Sequence, residues 1–213
     1  ACDVRTLRNG IDSRYFDPAA VKPEPRLIDC EGPRLIFSGQ MDYAPNVEAA
    51  LRVIERLLPR IRELIPRTTF HVVGRNPAEE LREHHGRNGV NVWGGVEDMR
   101  TWLSGADLAL VPLEIARGVQ NKVLEAMAMG LPVVLTSAAA TGIGAQDGKH
   151  LVVADSDDDL VERTTALLSH PRQGWTLGLE ARRYVVEELS WQATLAPLAV
   201  MVGRKEAPAR HAA

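Results

Sequence analysis

Lys122 and Glu125, three residues apart in the stretch ARGVQNKVLEAMAMGLPVVLTS, are the side chains of this sequence with the clearest capacity for chemistry. An ammonium is a compact charge suited to phosphate, and a carboxylate can accept from two neighbouring hydroxyls. Their spacing places them on adjoining faces of one helix, close to its start. A lysine there opposes the positive end of the helix dipole unless an anion is present. The preceding loop, Arg117, Gly118, Val119 and Gln120, adds backbone N–H groups, which at a helix N-terminus favour phosphate. Asn121 completes the constellation. Amides, ammonium and carboxylate together match what a nucleoside diphosphate would use.

The elements that must position these residues are legible on either side. DLALVP, residues 107–112, is an apolar run of strand length, and LPVVLTS, residues 131–137, is a second one rich in β-branched side chains. Between them Val119, Val123, Ala126 and Met127 recur at helical spacing, and Gly130 with Pro132 stops the helix. A short helix bracketed by two buried-type strands is a βαβ crossover. The loop therefore lies at the carboxyl end of a parallel strand, where open α/β sheets bind ligands.

The same alternation runs through the chain. RLIFSG, TTFHVVG, VNVWGG and HLVVAD read as further strands. Asn46 is expected to N-cap a helix carrying Ala49, Val53, Ile54 and Leu57, broken or kinked at Pro59. RNPAEELREHHGRNG reads as a polar helix, EDMRTWLSG as a short one capped by Asp98, and AATGIGAQDGK as loop with at most one helical turn. An acidic-started helix DDDLVERTTALLS, another over about 172–188, and an amphipathic one opened by Trp191 follow. The expected fold class is α/β: a Rossmann-like, doubly wound parallel sheet of about six strands with right-handed crossovers. Residues 1–33, polar and punctuated by Pro18, Pro23, Pro25 and Pro33, read as a linker or N-terminal arm. Residues 34–202 form the domain, and 203–213 lack a core pattern and are expected to fray.

Composition excludes several classes. The chain has 213 residues, 45% hydrophobic and 25% charged, enough for one substantial core and ordinary for a soluble protein. A net charge of −3 argues against a nucleic-acid binder. Cys2 and Cys30 make no disulfide framework and no zinc cluster, and they fit a reducing, cytoplasmic setting. No run of 18 apolar residues or signal peptide is present; attachment at the inner face of a membrane is compatible with this. Gly-x-Ser-x-Gly, Walker and Gly-x-Gly-x-x-Gly patterns are absent, which counts against serine hydrolases, P-loop enzymes and standard dinucleotide sites. His84 and His85 have no partners at metal-ligand spacing, His71 reads as packed or half exposed within a strand, and no metal site is expected. DSDDD suits dipole complementation of the following helix, while Met127, Met129 and Trp191 read as packing.

GVQNKVLEAMAMGLPVV resembles the nucleotide-sugar loop of family 4 retaining glycosyltransferases, and NGID, SGQMDYAPN, VVGRNP, GGVEDM and PLEIARG resemble the sugar transferases of exopolysaccharide and PEP-CTERM systems. The likeness runs from about Asn9 to Trp191 and covers only the C-terminal lobe of those two-lobed enzymes, of GT-B type. It implies that Glu125 accepts from ribose hydroxyls. The family's first motif glutamate, eight residues earlier, is Arg117 here, with Glu114 nearby. It further implies that the loop holding Gly39 and Gln40 faces the diphosphate and sugar, and that Gly95 and Val96 meet the nucleobase through their backbone. Gly39 read by itself is either an approach point for a ligand or a tight turn, and Arg75 either a phosphate or base contact or a solvated arginine.

The expected function is donor binding in a glycosyltransferase that moves sugar from a nucleoside diphosphate sugar to a glycan or lipid-linked acceptor, in exopolysaccharide or cell-surface polysaccharide synthesis. Lys122 and Glu125 are the expected catalytic pair, with Lys122, the Gly118–Gln120 amides and Arg75 stabilising the leaving diphosphate without a divalent metal or other cofactor. The expected partners are the nucleotide-sugar donor and an acceptor-binding lobe, not nucleic acid. A sugar-nucleotide epimerase of similar build and a non-catalytic nucleotide-binding domain are the rivals.

Overall fold

The computed structural model describes residues 7–201, except for the side chains at 199 and 200. A 3-10 turn at Pro18–Ala20 and a single helical turn α1 (Pro25–Ile28) precede the first strand. Then follow β1 (Arg34–Ser38), α2 (Ala44–Arg52), α3 (Leu58–Leu64), β2 (Thr69–Val73), α4 (Glu79–Arg82), β3 (Val90–Gly94), α5 (Met99–Gly105) and β4 (Leu108–Val111). The second half runs α6 (Asn121–Ala128), β5 (Val133–Leu135), α7 (Ser137–Ala140), β6 (Val152–Val153), α8 (Asp157–Ser169), α9 (Pro171–Tyr184) and α10 (Trp191–Met201).

The six strands form one parallel sheet in the order β3-β2-β1-β4-β5-β6. This is the expected doubly wound α/β architecture. The winding reverses between β1 and β4, which pair at Leu35↔Leu108 and Ile36↔Ala109, so the crevice of the sheet opens at their carboxyl ends. Helices cover both faces, which is why Leu35, Ile36 and Phe37 are all buried in succession instead of alternating with polar residues.

Pro59 does not end its helix. A π-helical turn, Val53–Leu57, joins α2 to α3 just before it, and the wider turn absorbs the hydrogen bond that proline cannot donate. Asn46 is not an N-cap. Tyr43 occupies that position, Pro45 stands in the first turn, and Asn46 lies inside the helix and is buried. The polar helix expected after β2 shrinks to Glu79–Arg82, because only Leu81 is buried there and a longer helix has no apolar face to pack. The sixth strand keeps two of its expected residues. α10 buries Thr194 and leaves Trp191, Leu195 and Leu198 exposed, so Trp191 is not the packed residue that its type suggested. Asp98 caps α5 as expected, accepting from the Arg100 backbone N–H at 2.9 Å. In DSDDD, Asp157 pairs with Arg52 at 2.8 Å and Asp158 with Arg60 at 2.7 Å, in addition to sitting at the α8 N-terminus.

The arm before β1 is tied to the far end of the fold. Ile11 bridges Ser190, and Arg182 reaches the Phe16 carbonyl and the Asp17 carboxylate, each at 2.9 Å. His71 is fully buried: its Nδ1 accepts from the Trp93 indole at 3.0 Å, and burial lowers its pKa to about 4. Residues 203–213, expected to fray, and Cys2 lie outside the described residues.

Candidate functional site

A cleft of about 720 Å³ lies across the carboxyl ends of β1, β2, β3 and β4, at the reversal of the strand order. Its size is that of a small-molecule or cofactor site. Of the residues singled out from the sequence, Gly39, Gln40, Arg75, Gly95, Val96 and Arg117 line it, together with Val119, Gln120, Asn121, Lys122 and Glu125. Gly118 is adjacent but does not line it. Its φ of 68° shapes the loop, and the space beside it is open. Glu114 does not point into the cleft; it is exposed and lies 3.7 Å from Arg52 on the other side of the loop.

α6 presents its N-terminus to the cleft without a side-chain cap: Gln120 occupies the capping position, but its amide turns back to the Gly118 carbonyl at 3.2 Å. The buried face, Val123, Leu124, Ala126 and Met127, anchors the helix against the sheet and fixes where Lys122 and Glu125 stand. Lys122 Nζ donates to Asn46 Oδ1 at 2.5 Å and lies 4.3 Å from the centre of the Phe37 ring. Burial lowers the pKa of Lys122 to about 8, partly offset by Glu125. Burial raises the pKa of Glu125, opposed by Lys122. Both charges are thus held partly out of water by the protein, a cost that fits residues awaiting charged or hydroxylated partners.

The glycines at the strand ends make room for their neighbours. A Cβ at Gly39 would stand 2.9 Å from Asn46 Nδ2 and 3.0 Å from Lys122 Nζ, so its bareness leaves room for the lysine and the asparagine beside the cleft. A Cβ at Gly74 would fall 1.7 Å from the Gly39 carbonyl oxygen, so the ends of β1 and β2 meet backbone to backbone. Arg75 is solvated at the rim, and a Cβ on Gly95 would touch its side chain at 3.2 Å.

Sequence reasoning missed the arm's part in the cleft. Tyr15 and Phe16 line it, with the Arg100 guanidinium stacked 3.9 Å from the Tyr15 ring centre. Asn9 donates to Asn121 at 2.9 Å, linking the NGID segment to the start of α6. Tyr43, Asn46, Glu97 and Ile115 were missed as well. Aromatic residues in a proline-rich arm, and a polar residue followed by buried helix positions, were the available signals.

The family description "Glycosyl transferases group 1" matches residues 32–170, well over half of the chain and the whole of the sheet. The chain belongs to this family. Among curated relatives, this chain is 28% identical over 194 residues to MMP alpha-(1->4)-mannosyltransferase of Mycolicibacterium hassiacum, covering 88% of this chain and 45% of the relative. It is 29% identical over 182 residues to the GDP-mannose-dependent alpha-(1-6)-phosphatidylinositol monomannoside mannosyltransferase of Mycolicibacterium smegmatis, covering 71% and 44%. The chain spans about half the length of these relatives. Among solved structures, Anabaena Alr3699/HepE in complex with UDP and glucose matches with a TM-score of 0.72 at 13% identity, over 94% of this chain and 57% of that one. Sucrose-phosphate synthase from Thermosynechococcus elongatus matches with a TM-score of 0.72 at 19% identity, over 95% and 52%. The group 1 chain therefore shares the Rossmann-like fold of one part of these larger proteins. No helix among its described residues is long and apolar enough to cross a membrane.

Proposed function

We propose that this chain is the donor-binding lobe of a retaining glycosyltransferase of family 4, allied to the exopolysaccharide and PEP-CTERM sugar transferases. It would serve transfer of a sugar from a nucleoside diphosphate sugar to a glycan or lipid-linked acceptor in cell-surface polysaccharide synthesis. The observation that carries the reading is the pairing of a partly desolvated ammonium and carboxylate on one uncapped helix N-terminus, in a cleft at the reversal of the strand order. The diphosphate meets Lys122 and the amides of the Gly118–Gln120 loop, and Arg75 approaches from the rim. As the glycosidic bond breaks, negative charge grows on the leaving diphosphate, and these donors favour that state without reorganising. Glu125 accepts from the ribose diol, and the backbone at Gly95 and Val96 meets the base. The charge is carried by protein donors, without a divalent metal. Arg117, in place of a glutamate, leaves the sugar side to groups beyond this motif.

Support also comes from relatives named as mannosyltransferases and from a structural neighbour solved with UDP and glucose. Site of action is proposed to be the cytoplasm, with the full-length enzyme at the inner face of the membrane. Assay of a full-length version with a series of nucleotide sugars tests the reading. Release of nucleoside diphosphate coupled to a new glycosidic bond is expected; turnover to an epimerised nucleotide sugar, or binding without any turnover, would replace it.

A further inference from the structure

We propose that Asn46 is the positioning residue of this cleft: it aims the Lys122 ammonium at the anion without itself neutralising the charge of that ammonium. The inference rests on the reading of Lys122 as the partner of the diphosphate.

Asn46 stands in the first turn of α2, where an asparagine would ordinarily serve the backbone of its own helix. It makes two bonds outside its own helix instead. Its Nδ2 donates to the Gln40 carbonyl at 2.8 Å, and its Oδ1 accepts from Lys122 Nζ at 2.5 Å. Chemistry fixes this orientation. An ammonium can only donate and a carbonyl can only accept, so a flipped amide would set donor against donor and acceptor against acceptor. Asn46 is only 7% exposed, so its amide has little water to fall back on and holds both bonds.

The second flank of the ammonium rests on the Phe37 ring, and Gly39 leaves the room in which asparagine and lysine meet. Lys122 is therefore held from two sides by uncharged groups, and both it and Asn46 line the cleft. A neutral acceptor is the informative choice. A carboxylate at position 46 could reach the same distance, but it would pair with the ammonium and cancel much of its attraction for phosphate. It would also face the Gln40 carbonyl with a second acceptor. The charged groups that share the cleft are Glu125 on α6 and Arg75, Glu97 and Arg117 on its loops. None of them provides the pair of contacts that Asn46 makes.

The test is calorimetry on the 213-residue chain, using whichever of UDP, GDP and ADP binds best, beside the matching nucleoside. Asn46→Ala should weaken diphosphate binding about 5- to 10-fold, leave the nucleoside within about twofold, and add nothing in a Lys122→Ala background. Asn46→Asp, nearly isosteric, should weaken diphosphate binding by about tenfold while raising the Lys122 ammonium pKa, followed by NMR of labelled lysine. A merely structural asparagine would lower nucleoside and diphosphate affinity alike, and would do so equally without Lys122; either result overturns the proposal. If Asn46→Ala fails to fold, the Asn46→Asp comparison decides by the same criteria. If Lys122→Ala itself leaves diphosphate binding intact, the diphosphate reading fails and takes this one with it. Loss on Lys122→Ala with no loss on either Asn46 variant would overturn the positioning role alone.

Discussion

At the scale of single residues, Lys122 carries a cost that its function would explain. Burial lowers its pKa from 10.5 to about 8 in the folded chain. Between those values the unfolded chain binds the proton that the folded chain has released, so this residue makes stability rise with pH across the window. Measured by urea denaturation from about pH 7 to about pH 10, wild type should gain on Lys122→Met by at most about 1.4 kcal/mol per pH unit. Diphosphate affinity should run the other way, falling as the ammonium loses its proton. A flat difference between the two proteins would remove the buried-ammonium account. Lys122→Ala should cost about 1.5–3 kcal/mol in diphosphate binding and almost nothing in nucleoside binding, since only the former offers a charged partner. Glu125→Gln keeps the shape and one acceptor oxygen, and should cost about 1–3 kcal/mol in nucleotide affinity. A 2′,3′-dideoxy nucleotide should bind wild type and variant alike; an equal loss for both ligands would show that Glu125 does not read the diol. Addition of a strong chelator should leave nucleotide affinity unchanged if the protein donors carry the diphosphate charge, and a calorimetric loss restored by magnesium would count against that.

At the scale of elements, the backbone meeting of β1 and β2 is what lets the cleft floor exist. Gly74→Ala would force its methyl into the Gly39 carbonyl, 1.7 Å away, so the strand ends must part. A loss of about 3 kcal/mol or more is expected from denaturation midpoints, with the Lys122 pocket displaced as a result. Gly118→Ala meets nothing within 4 Å and strains only a left-handed turn of φ 68°, so about 1 kcal/mol is expected. The same contrast marks what could be read in advance. β1, β2 and β4 declare themselves because a parallel sheet covered on both faces needs unbroken apolar runs. α6 declares itself by the spacing of its buried residues and by Gly130 after it. Asn46 was misread because an N-cap and a long-range amide contact look identical in one dimension; only its meeting with Lys122, 76 residues on, distinguishes them. Tyr15 and Phe16 join the cleft through Arg100 and Arg182, 85 and 166 residues away in the chain, a separation at which local pattern has no information. Gly39 and Gly74 were rightly placed at the strand ends, but what fills the space beside them depends on other strands and helices.

At the scale of the whole molecule, the cleft and the length of the relatives bear on the same question. Tyr15, Tyr43 and Ile115 line the cleft and are 47%, 50% and 60% exposed, while Arg75 and Arg117 stand in water at its rim. Large apolar side chains around an anion site would gain most from closure, because excluded water strengthens every charged contact inside. The chain covers 45% of one mannosyltransferase relative and 57% of the solved Alr3699/HepE chain, so those proteins carry further structure in addition to this fold. If donor contacts come from this lobe and acceptor contacts and closure from elsewhere, binding and turnover should separate. The purified chain should then bind a nucleoside diphosphate with a Kd of roughly 0.1–1 mM, about 4–5.5 kcal/mol, since its contacts work in open water. It should transfer no sugar from any nucleotide sugar, because no acceptor would be held in line with the donor and no lid would close over it. A full-length version should bind more tightly and turn over. The decisive measurement is glycosidic product formation by the 213-residue chain at saturating donor and acceptor. Robust transfer by that chain alone would mean that the cleft already contains the acceptor site, and would move the catalytic groups onto Tyr15, Glu97 and their neighbours at the rim.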